Sequence, residues 1–297
     1  MHLCPRFRFG FWLLATGFRP EASSQKPEAD PHAMILLSMP EVGTLVLVRH
    51  GESRWNSCNR FTGWVDVPLS EEGIQEAEKC AHECTKFSFN AVYTSSLERA
   101  QETALIILAH QNRNGIFQHE EDPRYKRWIL ESNQCGGDDI PIYETTMLNE
   151  RYYGKLQGME KDAARKHFGT DLVEGWRRGY SNRPPGGETL EEVHARVLPY
   201  FFEHILPRIR KKETILVASH ENSLRAIIKE LEGITDEDIT HVNLPTAMPI
   251  IYTSGEGDCF TRVAGEYTFS HPNKSVLVRN GMLCFGIKGI AGKEEKE

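Results

Sequence analysis

Short runs of aliphatic and β-branched residues predict three buried strands, at residues 45–48, 91–93 and 214–218. Stretches with helical periodicity lie between them, for example residues 70–86. Strands that alternate with helices are typical of an α/β fold, here three layers (α/β/α) around a mostly parallel central sheet. Because parallel sheets hold their ligands at the carboxyl ends of the strands, we expect the active site there.

Each predicted strand ends in a polar cluster. Residues 49–53 (RHGES) follow the first strand, 94–96 (TSS) the second and 219–222 (SHEN) the third. In the second cluster, a serine is predicted to cap the following helix. A single histidine after a strand is usually structural, but His50 and His220 both stand beside anion-binding residues. Since a neutral imidazole can accept a phosphoryl group, the pattern favours a phosphoryl-transfer site.

Composition and charge exclude several classes of protein. The chain has 297 residues, 39% of them hydrophobic and 26% charged, as in an ordinary globular enzyme. Its net charge of −7 disfavours a nucleic-acid partner. No apolar run reaches the roughly 18 residues of a membrane span. The seven cysteines show no metal-ligand spacing, so we expect reduced thiols and no metal.

The chain divides into an extension, a catalytic domain and a tail. Residues 1–43 begin with arginines and an apolar stretch, which suits a targeting peptide; an untargeted disordered extension and a later start at Met34 are the alternatives. The catalytic domain is predicted over residues 44–290, with a surface insertion at 111–144. Residues 291–297 form a charged tail. We expect a soluble protein, cytoplasmic, or organellar if the extension is a targeting peptide.

An ordered series of motifs between residues 44 and 252 resembles the histidine phosphatase superfamily and, within it, the 2,3-bisphosphoglycerate-dependent phosphoglycerate mutases. The motifs are residues 47–53 (LVRHGES), 59–64 (NRFTGW), 94–100 (TSSLERA), 148–154 (LNERYYG), 176–180 (WRRGY), 184–188 (PPGGE), 220–225 (HENSLR) and 243–247 (NLPTA). Any one of them alone would be a weak signal, but their order along the chain makes the resemblance strong.

The resemblance implies a role for each matched residue. His50 would carry the phosphoryl group, His220 would stabilise it during transfer, Arg49 and Arg99 would hold it, and Glu150 would exchange a proton with the substrate hydroxyl. The substrate-binding residues would be Asn56, Arg60, Thr62, Gly63, Arg151, Tyr153, Lys161, Arg177, Arg178, Glu221 and Asn222. The implied cofactor is 2,3-bisphosphoglycerate as priming phosphoryl donor, without a metal, and a homodimer is left open.

The implied activity is the interconversion of 2-phosphoglycerate and 3-phosphoglycerate through a phosphohistidine. A phosphatase is the alternative, although relatives of that type usually lack the second basic set of Arg151, Lys161, Arg177 and Arg178. Bisphosphoglycerate synthesis is disfavoured, because synthases tend to have glycine at the position of Ser53.

Glu221 departs from the family pattern. It stands where the family has glycine, so a catalytically weakened homologue is a further alternative. A carboxylate that faced the phosphate would repel it, so we expect the Glu221 side chain to point out of the pocket, toward a basic neighbour such as Arg225.

Overall fold

The computed structural model of the protein describes residues 42–111, 113–118, 139–255 and 259–269, together with the backbone of residues 283–284. Its strands are β1 (Thr44–Arg49), β2 (Ala91–Ser95), β3 (Gly115–Gln118), β4 (Ile140–Thr145), β5 (Thr214–Ser219), β6 (Val242–Asn243), β7 (Pro249–Ser254), β8 (Cys259–Ala264), β9 (Thr268–Phe269) and β10 (Leu283–Cys284). The main sheet has the order β10-β8-β7-β1-β5-β2-β4-β3, and β6 pairs with β9 in a small second sheet. The pairs from β1 to β3 along this order are parallel and the others antiparallel, so the predicted mostly parallel sheet is confirmed.

Helices connect the strands. The α-helices of the described part are α1 (Arg54–Ser57), α2 (Glu71–Cys84), α3 (Glu98–Ala109), α4 (Lys161–Phe168), α5 (Thr170–Arg178), α6 (Leu190–Tyr200), α7 (Leu206–Arg210) and α8 (Glu221–Glu232). Short 3₁₀ helices lie at Thr146–Leu148, Gly154–Leu156 and Asp238–His241, and a π-helical turn at Phe201–Ile205 joins α6 to α7. Within the described residues, no helix is both long and apolar enough to cross a bilayer.

The alternation of side chains along the central strands builds the three layers. In β1, Leu45 and Leu47 pack on one face of the sheet with α6, α7 and α8. Val46 and Val48 point to the other face and pack with α2 and α3. Because successive strand residues point to opposite faces, one apolar strand serves both cores. The predicted α/β/α arrangement is confirmed. A third, smaller cluster around Phe61 and Trp176 supports α4 and α5.

The predicted serine cap of the helix that carries Arg99 is wrong, although another helix does begin with a serine cap. Ser70 caps α2 by accepting a hydrogen bond from Gly73 N at 3.0 Å. The helix that carries Arg99 has no serine cap, because its N-cap residue is Leu97, without a side-chain cap bond. Instead, Glu98 N donates to Asp66 Oδ1 at 2.7 Å. The start of this helix is therefore capped by a carboxylate from a distant loop and not by a neighbouring serine.

Several predictions concern segments outside the described residues. These are the extension up to residue 41, positions 119–138 of the predicted insertion and the tail at 291–297. The ends of the 111–144 segment are β3 and β4, which extend the parallel sheet. The expectation that all seven cysteines are reduced is wrong, since Cys259 is disulfide-bonded.

Candidate active site

The strand order brings the two sequence-predicted histidines together. β1 and β5 are parallel neighbours, with Arg49 opposite Ser219, so the residues that follow them emerge side by side. The rings of His50 and His220 lie 4.9 Å apart between centroids, at an angle of 60°. Both side chains are buried. The polar end of the central strands therefore holds a pair of imidazoles shielded from water.

The hydrogen bonds of His50 define its protonation. Its Nδ1 lies 2.7 Å from the carbonyl oxygen of Gly51, which can only accept, so Nδ1 carries the proton. Burial, followed by the charges of Arg99 and Arg49, lowers the pKa of His50 well below its ordinary value. The ring is therefore neutral near pH 7. Its Nε2 carries no proton, and its lone pair accepts a hydrogen bond from Arg99 Nε at 3.3 Å.

His220 is held by Ser95, which belongs to the polar cluster 94–96 but is not among the predicted site residues. Ser95 Oγ lies 2.7 Å from His220 Nε2 and also accepts a hydrogen bond from Leu97 N at 3.2 Å. Burial and the nearby Arg99 lower the pKa of His220 well below its ordinary value. In the described part of the chain, its buried Nδ1 has no hydrogen-bond partner. The position of Ser95 at the end of the strand beside β5 is the signal that could have identified it.

Arg99 is a buried cation that organises the loop facing His50. Its Nη2 donates to Gly63 O at 2.8 Å and its Nη1 to Val65 O at 3.1 Å. Burial lowers the pKa of Arg99 to about 10, against the raising effect of Glu150 and Asp66. The guanidinium therefore stays charged near pH 7 and adds a fixed positive charge beside the histidine pair.

A cationic pocket opens in front of His50. It encloses about 490 Å³, including space open to solvent. Two carboxylates and five cations line it: Glu150, Glu221, Arg49, Arg60, Arg99, Lys161 and Arg177. Burial and the neighbouring Arg177 and Arg49 lower the pKa of Lys161 to about 8. Among the described residues, the buried Arg49 Nε and Thr62 Oγ1 have no hydrogen-bond partner. These unpaired polar atoms suit an anionic ligand.

Glu150 is oriented from both sides. Its Oε1 accepts hydrogen bonds from Arg151 N at 2.7 Å and from Asn222 Nδ2 at 2.8 Å, which leaves Oε2 without a hydrogen-bond partner in the described part of the chain. The backbone oxygen of Glu150 accepts from Trp64 Nε1 and from Arg196 Nη2. Sequence reasoning missed Trp64 and Arg196 as supports of this carboxylate, because both act through the backbone.

Hydrogen bonds also determine which way two pocket amides face. Asn56 Oδ1 accepts from Ser53 Oγ at 2.8 Å, so its Nδ2 is the group left to donate. Asn222 Oδ1 accepts from Arg225 Nη1 at 3.0 Å, which turns its Nδ2 toward Glu150. The buried Arg225 therefore acts on the pocket through Asn222.

All of the predicted site residues line the pocket except His220, Arg151 and Arg178; Phe61 completes the wall. Arg151 is fully buried behind the ring of Tyr153, with its Cζ 4.8 Å from the ring centroid, and donates to Arg177 O. It supports the wall from behind. Arg178 lies behind the pocket wall and contacts the pocket residue Glu221.

The expectation that Glu221 points out of the pocket is wrong. Its Oε1 lies 2.9 Å from Arg178 Nη1 and its Oε2 3.2 Å from Arg49 Nη1, and the residue lines the pocket. Burial would raise the pKa of Glu221, but Arg49 and Arg178 outweigh it and lower the pKa to about 2. Among the described contacts, Arg225 forms hydrogen bonds with Asn222 and backbone carbonyls instead of Glu221, and its charge only adds to the lowering of the Glu221 pKa.

The fold and the paired histidines define an α/β protein of the histidine phosphatase type. The chain belongs to the histidine phosphatase superfamily (branch 1), whose family model matches residues 45–126 and 131–263. It is 42% identical over 229 residues to a 2,3-bisphosphoglycerate-dependent phosphoglycerate mutase of Methanosarcina acetivorans, covering 72% of this chain and 92% of that protein. It is 45% identical over 215 residues to 2,3-bisphosphoglycerate-dependent phosphoglycerate mutase 1 of Gloeobacter violaceus, covering 70% and 92%. The predicted resemblance to these mutases is confirmed.

Solved structures agree on the fold. YhfR of Bacillus stearothermophilus superposes with a TM-score of 0.59 at 25% identity, covering 74% of this chain and 95% of that one. A mycobacterial glucosyl-3-phosphoglycerate phosphatase superposes with a TM-score of 0.57, covering 73% and 92%; at 20% identity this likeness concerns the fold alone.

Proposed function

We propose that this protein interconverts 2-phosphoglycerate and 3-phosphoglycerate through a phosphohistidine at His50, primed by 2,3-bisphosphoglycerate. The observation that carries the proposal is the state of His50: a neutral ring whose Nδ1 is bonded to Gly51 O and whose Nε2 keeps its lone pair beside Arg99. A nucleophile in this state needs no separate base before it attacks phosphorus. The names of the relatives at 42% and 45% identity support the same reaction.

The distribution of charge suits small substrates with two acidic groups. Arg49 and Arg99 lie on the His50 side of the pocket, beside the buried histidine pair. Lys161 and Arg177, from α4 and α5, line the pocket as well and come from a separate part of the chain. A phosphate and a carboxylate on one three-carbon acid can therefore each meet cationic groups, which favours phosphoglycerates over simple phosphate esters.

The pocket residues fit the priming ligand. The buried Arg49 Nε and Thr62 Oγ1 are unsatisfied donors in the described structure, as anion binding requires. Arg49, Arg99 and Asn56 would hold the phosphoryl group next to His50, and Lys161 and Arg177 would bind another acidic group of the ligand. When bound, 2,3-bisphosphoglycerate supplies the phosphoryl group that loads His50.

The chain's own groups then carry the reaction. His50, once loaded, gives its phosphoryl group to the 2-hydroxyl of 3-phosphoglycerate: the P–N bond breaks, the new P–O bond forms, and the hydroxyl proton passes to Glu150. Transfer of the 3-phosphoryl group back to His50 Nε2 reverses these changes, and Glu150 returns its proton to the freed 3-oxygen. Arg99 and His220 stabilise the charge on the transferring group from two sides.

The test is an assay of the purified protein with 3-phosphoglycerate, with and without a trace of 2,3-bisphosphoglycerate, followed by phosphorus NMR. We expect 2-phosphoglycerate as the main product and acid-labile labelling of the protein, both lost in His50→Ala. The exposed His82→Ala is the matched control and should retain both. Inorganic phosphate as the dominant product would indicate a phosphatase, and labelling that persists in His50→Ala would reject His50 as the carrier.

A further inference from the structure

The pocket contains an anion of its own. The carboxylate of Glu221, the first residue of α8, bridges two arginines of the site, with Oε1 2.9 Å from Arg178 Nη1 and Oε2 3.2 Å from Arg49 Nη1. Its side chain is only 16% exposed and lines the same pocket as His50. Glu221 is therefore where part of an anionic ligand would be expected, bound to Arg49, which lines the pocket and is a cation that the ligand would use.

The carboxylate is not needed to hold either arginine. Arg49 Nη1 also donates to Leu244 O at 2.6 Å, and Arg178 Nη2 donates to Asn243 Oδ1 at 3.1 Å. Without Glu221, each guanidinium would still donate a hydrogen bond to an uncharged oxygen. What the carboxylate adds is negative charge: it neutralises much of the field that Arg49 and Arg178 would otherwise direct at a ligand.

We propose that Glu221 is a charge filter, an internal anion that is held by Arg178, competes with the ligand for Arg49 and weakens binding most for the most highly charged ligand. An arriving phosphate or carboxylate has to share Arg49 with Glu221 or displace it. Because the repulsion between Glu221 and a ligand grows with the ligand's charge, a bisphosphorylated acid is disfavoured more than a monophosphorylated one. The filter thereby promotes release of the bisphosphorylated ligand from the pocket. The inference rests on the proposed function only for the identity of the ligands.

The proposal is tested by calorimetric titration of the full chain with three probes: inorganic phosphate, 3-phosphoglycerate and 2,3-bisphosphoglycerate. Glu221→Gln removes the charge and keeps the shape, so it should tighten binding of the bisphosphate by roughly 10- to 100-fold, the range of one charge-assisted hydrogen bond. The gain in affinity should be smaller for 3-phosphoglycerate and smallest for inorganic phosphate. Glu221→Asp keeps the charge and should bind each probe within about fivefold of wild type.

Glu174→Gln is the matched control. Glu174 also pairs with an arginine of the pocket wall, Arg177, at 3.0 Å, but its side chain is 37% exposed and it does not line the pocket. Because solvent screens such a pair, this variant should change the affinities less than about fivefold.

Three outcomes would overturn the filter: unchanged or weaker binding in a folded Glu221→Gln protein, equal gains in Glu221→Gln and Glu174→Gln, or a gain that does not rise with probe charge. A charge-graded gain in a protein that does not convert 3-phosphoglycerate would support the filter while rejecting the proposed function.

Discussion

The two buried histidines should make the protein lose stability in mild acid. In the folded chain both imidazoles are held neutral, because burial and nearby arginines lower their pKa values well below 6.5. In the unfolded chain each would take up a proton as the pH falls through 6.5. The stability that the two neutral histidines contribute is therefore fully present above pH 6.5. It is lost as the pH falls below that value, until the folded-state pKa is reached.

The magnitude follows from proton linkage. Each histidine lowers the free energy of unfolding by about 1.4 kcal/mol per pH unit in the window below its unfolded-state pKa. At pH 5.5, one unit below the unfolded-state pKa, His50 and His220 together should have lowered the free energy of unfolding by about 3 kcal/mol relative to its value at pH 7.5. This is a large share of the roughly 5–15 kcal/mol that stabilises a typical domain. His194, whose pKa is also lowered by burial, adds to the loss with the same sign.

The assay is urea unfolding at pH 7.5 and 5.5 in phosphate-free buffer, followed by tryptophan fluorescence. The informative variant is His50→Gln, which keeps a polar side chain but cannot titrate. Its loss of unfolding free energy between the two pH values should be smaller than that of wild type by about 1.4 kcal/mol. The exposed His82→Gln controls for a histidine outside the site. An equal pH dependence in wild type and His50→Gln would mean that His50 protonates freely in the folded state, and the argument for a neutral nucleophile would fail.

Three further substitutions test the surroundings of the histidines. Glu150→Gln should leave His50 open to labelling but slow turnover by roughly 10²-fold or more, and an unchanged rate would reduce Glu150 to a structural group. Ser95→Ala removes the hydroxyl bonded to His220 and should lower the free energy of unfolding in urea by about 1–3 kcal/mol, with slower phosphoryl transfer; wild-type values of both would exclude Ser95 from the site. Arg225→Met should destabilise the protein by about 2 kcal/mol or more, because it leaves backbone carbonyls unpaired, and should lower kcat through Asn222, whereas full activity in a folded variant would contradict that coupling.

The local pattern of hydrophobic residues was sufficient to predict the central strands of this protein. The strands predicted at 45–48, 91–93 and 214–218 are the cores of β1, β2 and β5, because a run of aliphatic residues buried on both faces can be read without its neighbours. The rule that parallel strands gather ligands at their carboxyl ends then sufficed to predict that His50 and His220 would meet. The resemblance of the motifs identified the family and most of the residues that line the pocket.

Tertiary structure alone decided what those residues touch. Ser95 reaches His220 across 125 positions of sequence, and Asp66 caps a helix 32 residues away. Glu221 turns into the pocket because Arg49 comes from one strand end and Arg178 from α5, and only the folded chain places both within reach of one carboxylate. A side chain's direction depends on which charges surround it in space, and sequence spacing specifies those neighbours only within a single helix or strand.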